Sequence, residues 1–475
     1  MLREGGNAVD AAVAAVMASC VTESPLTGLG AGGYMLVHAA QQTTVLDFFV
    51  AVPGSDRRER GAELVPIPVH FTPESAQVFH VGAASCGVPG TPAGLERAVQ
   101  RFGTVPLAEL AAPAVGLARD GVTLNSEQAY FIAILAPILT HFEEARAIYA
   151  PAGKLVAEGD TFRFAELGDA LERLGSEGAE AFYRGEVAAR ISEWVVERGG
   201  TLGPQDLAAY EPIERPPVTA SFGEREVRTN PPPSPGGVLI AFALELLDRL
   251  PGPPGTEEIV SVMRAAQAER TREFLAGLYA EGFAARFLAA DRLGSTTHIT
   301  AVDGDGMCAS VTCSNGTGSG LVVPGTGVHV NNMLGEQDLN PLGFHQHEAG
   351  RRMPSMMSPT VVLRDGELEA GLGSGGSNRI RSAILQTIVR LVADGYDVDA
   401  AVNAPRVHFE QDTVEAEPGI DEAALVRLAA GGLEVVRWPD RNVFFGGVHA
   451  VTRNPATGGL AGAGDPRRGG AVAVA

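Results

Sequence analysis

The stretch THITAVDGDGMCASVTC, residues 297–313, decides the fold. Two runs rich in β-branched and small apolar residues flank Asp303-Gly304-Asp305-Gly306, and that order predicts an antiparallel hairpin closed by an Asp-Gly turn. TVVLRDGELEAGL (360–372) repeats the arrangement, and HAVTRNPATGGLAGAG (449–464) repeats it less clearly. Near the start, YMLVHAA (34–40) and TTVLDFF (43–49) form a further β-prone pair across a short polar turn. Between the later hairpins, SNRIRSAILQTIVRLVADG (377–395) has a 3.6-residue apolar period and stops at a glycine, which predicts a helix. Gly6 to Cys20, Ala- and Val-rich with Asn7 and Asp10 near its start, reads as a buried helix. From Thr91 to about Leu207 apolar residues recur at helical spacing. NPPPSPGG (230–237) predicts a rigid connector, because successive prolines lack donors and fix φ, and VLIAFALELL (238–247) reads as a buried helix after it. Hairpins with helices outside them predict an α/β (α+β) fold of layered sheets covered by helices.

Bulk properties narrow the partners. The net charge of −21 and a pI near 4.9 would repel a phosphate backbone or an anionic membrane surface, so neither nucleic acid nor membrane is expected. No segment reaches the apolar length that spans a bilayer. Cys20, Cys86, Cys308 and Cys313 are too few and too irregularly spaced for a disulfide framework or a zinc site, and are expected to be buried as small hydrophobes. The opening MLREGGNAVDAA lacks the pattern of a secretory signal, so the expectation is a cytoplasmic protein, or a secreted one if the start is trimmed. The 475 residues would allow two domains, yet no flexible linker or internal repeat is visible.

Several motifs have plain structural explanations. GLGAGG places Gly28, Gly30 and Gly33 at dinucleotide-fingerprint spacing, but here a helix precedes and a strand follows, the reverse of what that mechanism needs. A tight turn with close backbone packing is expected instead. Asp303 to Gly306 lacks the remaining ligands of a calcium loop, and His298, His329, His345 and His347 show no metal-ligand spacing. Gly294-Ser295-Thr296-Thr297-His298, just before the strand, carries more chemistry. A threonine hydroxyl needs a base, and a free α-amino group with a pKa of roughly 7.7–8.0 supplies one only after the preceding peptide bond is cut. β-Propensity alone also explains a Thr-Thr pair at this point. Gly373-Ser374-Gly375-Gly376-Ser377 precedes a helix and would suit an oxyanion, or would be an ordinary loop with Ser377 as an N-cap.

GGNAVDAAVAA, GLGAGGYM, GVPGTPAGLERAVQRFGT, GGTLGPQDLAAYEP, NPPPSPGG, STTHITAVDGDG, VPGTGVHVNNML, MPSMMSPT, GSGGSNRI and DPRRGGAV occur in one order along the chain. Together they resemble the γ-glutamyltransferase family of N-terminal-nucleophile hydrolases over nearly the whole length. The resemblance implies an αββα four-layer sandwich and a precursor cleaved between Ser295 and Thr296. The products would be a large subunit, 1–295, and a small one, 296–475, forming one structural unit. It further implies Thr296 as nucleophile, Ser314 as a second hydroxyl at its amino group, and Gly375 and Gly376 as the oxyanion pair. Asn315 and Glu336 would fall in the substrate pocket, with Glu336 where the family holds an α-amino group with an aspartate. No cofactor or metal is implied, and the partner is a small-molecule amide; whether the protein also forms a homo-oligomer stays open.

Three departures stand out. Asp47-Phe48-Phe49-Val50 puts Phe49 where the family has an arginine for the substrate α-carboxylate, replacing a bidentate clamp by an aromatic ring. Ser355-Met356 replaces a pair of serines. The stretch from Asp338 to Pro354 is too short for the lid loop of many bacterial members, which predicts a more open pocket. The acyl-transfer residues are intact, so the expected activity is hydrolysis of a γ-glutamyl-like or other acyl amide. The alternatives are an acylase or antibiotic-pathway homologue with another substrate, and an inactive binding protein.

Overall fold

The computed structural model describes residues 1–56, 60–70, 76–269, 274, 278–279, 296–337, 339–340 and 343–475. Its first long helix starts where a capping box dictates. Asn7 Oδ1 accepts from the Val9 and Asp10 amides while Asp10 Oδ2 accepts from Asn7 N, which opens α1 (Ala8–Thr22). Two antiparallel strands follow, β1 (Gly32–Ala39) and β2 (Gln42–Phe48), as their alternation predicts. Helices then occupy most of 91–208. The chain continues through β3 (Ile213–Arg215), β4 (Val218–Phe222) and β5 (Arg225–Thr229) into α2 (Pro235–Asp248). This helix starts inside the proline-rich stretch, because Pro at the first helical position costs no hydrogen bond. The connector is therefore shorter than expected.

The deciding stretch forms β6 (Thr297–Val302) and β7 (Cys308–Ser314). At their turn the Asp303 carboxylate accepts from the amides of Asp305, Met307 and Ala8, so it serves backbone donors. The remaining hairpins are β8 (Thr360–Arg364) with β9 (Glu367–Gly375) and, after helix α3 (Arg379–Val392), β10 (Gly447–Arg453) with β11 (Leu460–Gly464). They assemble into two antiparallel sheets, ordered β6-β7-β1-β2-β3 and β11-β10-β9-β8-β5-β4. Both sheets combine strands from before and after Thr296.

Three apolar cores separate the layers. Met35, Val37 and Leu46 pack with α1 and the middle helices; Tyr34, Leu36 and Val45 pack between the sheets with Val361 and Leu363; Leu372 and Ala450 pack with α2 and α3. β1 is apolar on both faces because each face covers a core. The result is the αββα arrangement.

Close approach of the sheets depends on alternate glycines in β9. A Cβ at Gly371 would lie 2.4 Å from Cys308 Sγ, one at Gly373 would lie 2.2 Å from the His298 ring, and one at Gly375 would lie 2.1 Å from the Thr296 carbonyl oxygen. Period-2 alternation puts all three on the face toward β6 and β7. Gly30 and Gly33 are likewise packing glycines, with Cβ positions 2.1 Å from His329 O and 2.3 Å from Thr312 O. All four cysteines are buried and free.

A buried ion cluster pins the segment after β11. Asp465 pairs with Arg406 at 2.7 Å and with Arg467 at 3.2 Å, and Arg467 also pairs with Glu417. Burial works against ionisation of Asp465, but Arg406 and Arg467 hold its carboxyl below the usual range. Breaking one member leaves buried charge uncompensated. Asp465→Asn is expected to lower the unfolding free energy by about 3–5 kcal/mol, measured by urea denaturation.

Candidate active site

Thr296 stands at the head of β6, 3% exposed, at the margin where the two sheets face each other. Its carbonyl oxygen abuts Gly375 and accepts from Arg468 Nη1 at 3.3 Å. The next residue is tied to α1's end: Thr297 Oγ1 donates to Glu23 Oε2 at 2.6 Å. Burial pushes the Glu23 carboxyl up, opposed by Thr297 and by the charge of Arg468, whose own pKa burial brings down to about 10. The backbone entering β6 is thus held from both sides.

On one side of Thr296 lies a small cavity of about 10 Å³, walled by Thr296, Ser314, Gly316, Glu336, Ser355 and Phe49 together with Met333, Leu339, Met356, Met357 and Ile380. Ser314, the last residue of β7, accepts from Gly316 N at 2.9 Å. Glu336 is 1% exposed; its Oε1 accepts from Thr317 N at 3.2 Å, and burial pushes its pKa up to about 7 against the hydrogen bonds of Asn332 and Thr317. Ser355 Oγ accepts from Met357 N at 3.1 Å. The proline-rich connector braces this wall: Ser234 Oγ donates to Ser355 O and Asn230 Nδ2 to Met357 O. A larger cavity of about 1000 Å³ lies along β6 on the other side, bounded by α1 and by residues 468–475.

Phe49 is fully buried and stacks on Tyr34 with ring centroids 5.5 Å apart. A guanidinium is nevertheless close. Arg352 donates to Phe49 O at 3.1 Å and to Glu211 O at 2.5 Å, pairs with Asp47 at 3.3 Å and lies over the Tyr210 ring. It is committed to the protein's own acceptors.

The structure gathers Thr296, Ser314, Glu336, Ser355, Met356 and Phe49 around one cavity and sets Gly375 against Thr296. Gly376 follows directly, in the left-handed region at φ 114°. Asn315 does not line the cavity; its Nδ2 donates to His329 O, and Gly316 takes its place on the wall. Ser295 lies outside the described residues. Met333, Met356 and Met357 line the pocket, and of the described residues of 338–354 only Leu339 does. Ser377 is left-handed at φ 71°, so it is no N-cap, and α3 begins without a side-chain cap. His298 is satisfied by Thr312 and Thr300, and burial keeps it neutral; His329 accepts from Gly320 N and is pushed down to about 4 by burial. Among the described residues no cluster could hold a metal, and no helix is long and apolar enough to cross a membrane. Sequence reasoning missed Glu23 and Arg468. Arg468 sits in a quoted motif, DPRRGGAV, but only the fold brings it to Thr296.

The gamma-glutamyltranspeptidase family model matches residues 1–281 and 276–475. The chain belongs to that family. It is 31% identical, over 98% of its length and 87% of the relative's, to the glutathione hydrolase proenzyme of Escherichia coli (strain K12). It is 30% identical, over 96% of its length and 87% of the relative's, to the acylase ACY 1 proenzyme of Pseudomonas sp. (strain SE83). Among solved structures, the cephalosporin acylase from Bacillus halodurans superposes with a TM-score of 0.85 at 25% identity, covering 99% of this chain and 92% of that one. The αββα fold is therefore the family's.

Gly376 leaves no room for a side chain, since a Cβ would meet Gly446 Cα at 2.6 Å as well as strain the backbone. Gly376→Ala is expected to slow turnover about 10- to 100-fold, the equivalent of about 1–3 kcal/mol of strain, read as kcat on a chromogenic anilide.

Proposed function

We propose that this chain is the precursor of an amidohydrolase that cuts the Ser295–Thr296 bond and then uses Thr296 as its nucleophile. The observation that carries the reading is Thr296 and Ser314 facing one cavity, with Gly375 packed against the threonine, in a chain of this family.

Once the bond is cut, the Thr296 α-amine takes the proton from Oγ as that oxygen attacks the substrate's amide carbon. Negative charge collects on the carbonyl oxygen, which the backbone amides of Gly375 and Gly376 stabilise. Collapse of the intermediate breaks the C–N bond, the ammonium returns its proton to the departing amine, and an ester remains on Oγ. Water, deprotonated by the same amine, then attacks the ester and releases the acid. Ser314 orients the amine. Both products of processing, 1–295 and 296–475, stay in one structural unit because each sheet needs strands from both.

The acylase reading of the substrate is favoured by Phe49 and Arg352. A γ-glutamyl group brings a carboxylate that needs a cation, yet Arg352 behind Phe49 is already engaged with Asp47 and two carbonyls, and Arg468 donates to the Thr296 carbonyl.

Denaturing electrophoresis tests the processing step. Dividing 49.3 kDa in proportion to 295 and 180 of 475 residues gives bands of about 31 and about 19 kDa. Wild-type protein should show both, with the smaller beginning Thr-Thr-His, while Thr296→Ala should remain one band and be inactive. An uncut, inert wild type would make this a binding protein.

A further inference from the structure

The proposal concerns the acyl end of the small cavity and rests on the Thr296 acyl-enzyme reading. A zwitterionic acyl head needs two fixed charges, a cation for its carboxylate and an anion for its ammonium. Among the described residues no cation lines the cavity. The only carboxyl there among the described residues is Glu336, and it is placed where charge is costly. Its surroundings include Met333, Leu339, Met356, Met357, Ile380 and Phe49; Oε1 is taken by Thr317 N, while Oε2, fully buried, has no hydrogen-bond partner among the described residues. A carboxylate with an unanswered buried oxygen is penalised, whereas a carboxylic acid there needs only one acceptor.

We propose that Glu336 works as an uncharged hydrogen-bond donor through Oε2, and that the site selects short amides whose acyl chain is uncharged and ends in a hydrogen-bond acceptor such as a carboxamide. Burial pushing the group's pKa up to about 7 agrees with that state. The methionines supply adaptability: unbranched thioether chains can shift to admit an acyl chain into a space of about 10 Å³. Among the described residues, the other titratable groups nearby do not supply the missing charge. His80 presents its carbonyl to Asn332 and its ring to Phe344, and burial lowers its pKa. Behind Phe49, Asp47 pairs with Arg215 at 2.8 Å and with Arg352 at 3.3 Å, and none of the three lines the cavity. The turn at 314–317 and the segment 333–335 carry no ionisable side chain.

The test uses the processed enzyme and four p-nitroanilides: butanoyl, 4-carbamoylbutanoyl, glutaryl and γ-glutamyl. The 4-carbamoylbutanoyl compound should have the highest kcat/KM, exceeding the two charged substrates at least about 10-fold, the cost of burying an unpaired charge being larger than that. Its kcat/KM should fall as pH rises through about 7, where Glu336 ionises, on top of the rise as the Thr296 amine loses its proton. Glu336→Leu should lose about 3- to 10-fold on this substrate, one neutral hydrogen bond. Glu336→Gln, which keeps a donor without a charge, should recover most of that loss and abolish the alkaline fall. A preference for the γ-glutamyl anilide, or a glutamine variant as impaired as the leucine one, would overturn the proposal. Should the leucine variant fail to fold, the wild-type substrate order and pH profile still decide. Failure of processing is a separate outcome, visible on the gel before any substrate is added, and would remove both readings.

Discussion

The structure depends on three side chains that are missing. Gly371, Gly373 and Gly375 line one face of β9, and wherever a methyl group would have stood the opposite sheet presents Cys308, His298 or the Thr296 carbonyl. Face-packed sheets normally sit about 10 Å apart because side chains fill the gap. Here the side chains of Cys308 and His298 fill the places opposite Gly371 and Gly373, and a backbone carbonyl at the head of β6 lies against Gly375. The proposed nucleophile and oxyanion site lie on two different sheets and can meet only if nothing bulky separates them, so the glycine spacing that joins the layers would also assemble that chemistry.

Rigid support comes from polar side chains that hold the backbone around Thr296 and its neighbours. Arg468 takes the Thr296 carbonyl, Glu23 takes the Thr297 hydroxyl, and Ser234 with Asn230 fixes the carbonyls of 355 and 357. Arg468 in turn is anchored one residue from the buried cluster of Arg406, Asp465, Arg467 and Glu417. The acyl pocket differs in character. It is lined by thioethers, and its one carboxyl is left half-answered, so shape and polarity there are adaptable while the reacting atoms are not.

Most secondary structure was legible because its signals are local. Alternation and Asp-Gly turns specified the hairpins, and Asn7 with Asp10 specified the first turn of α1. Errors arose where a distant partner decided. The proline-rich connector ended early because α2 could use Pro235 as its first residue. The short 338–354 stretch suggested an open pocket; of its described residues only Leu339 reaches the wall, which Met333, Met356 and Met357 share.

The sequence by itself determined the strands and helices, the family resemblance, and the identity of a threonine able to acquire a neighbouring amine, since each of these is written in consecutive residues. Only the tertiary structure decided what Thr296 touches and what charge the pocket tolerates. Burial, distance and unpaired atoms are properties of residues from positions 23, 49, 336, 375 and 468 brought together, and no local pattern encodes the dielectric around Glu336.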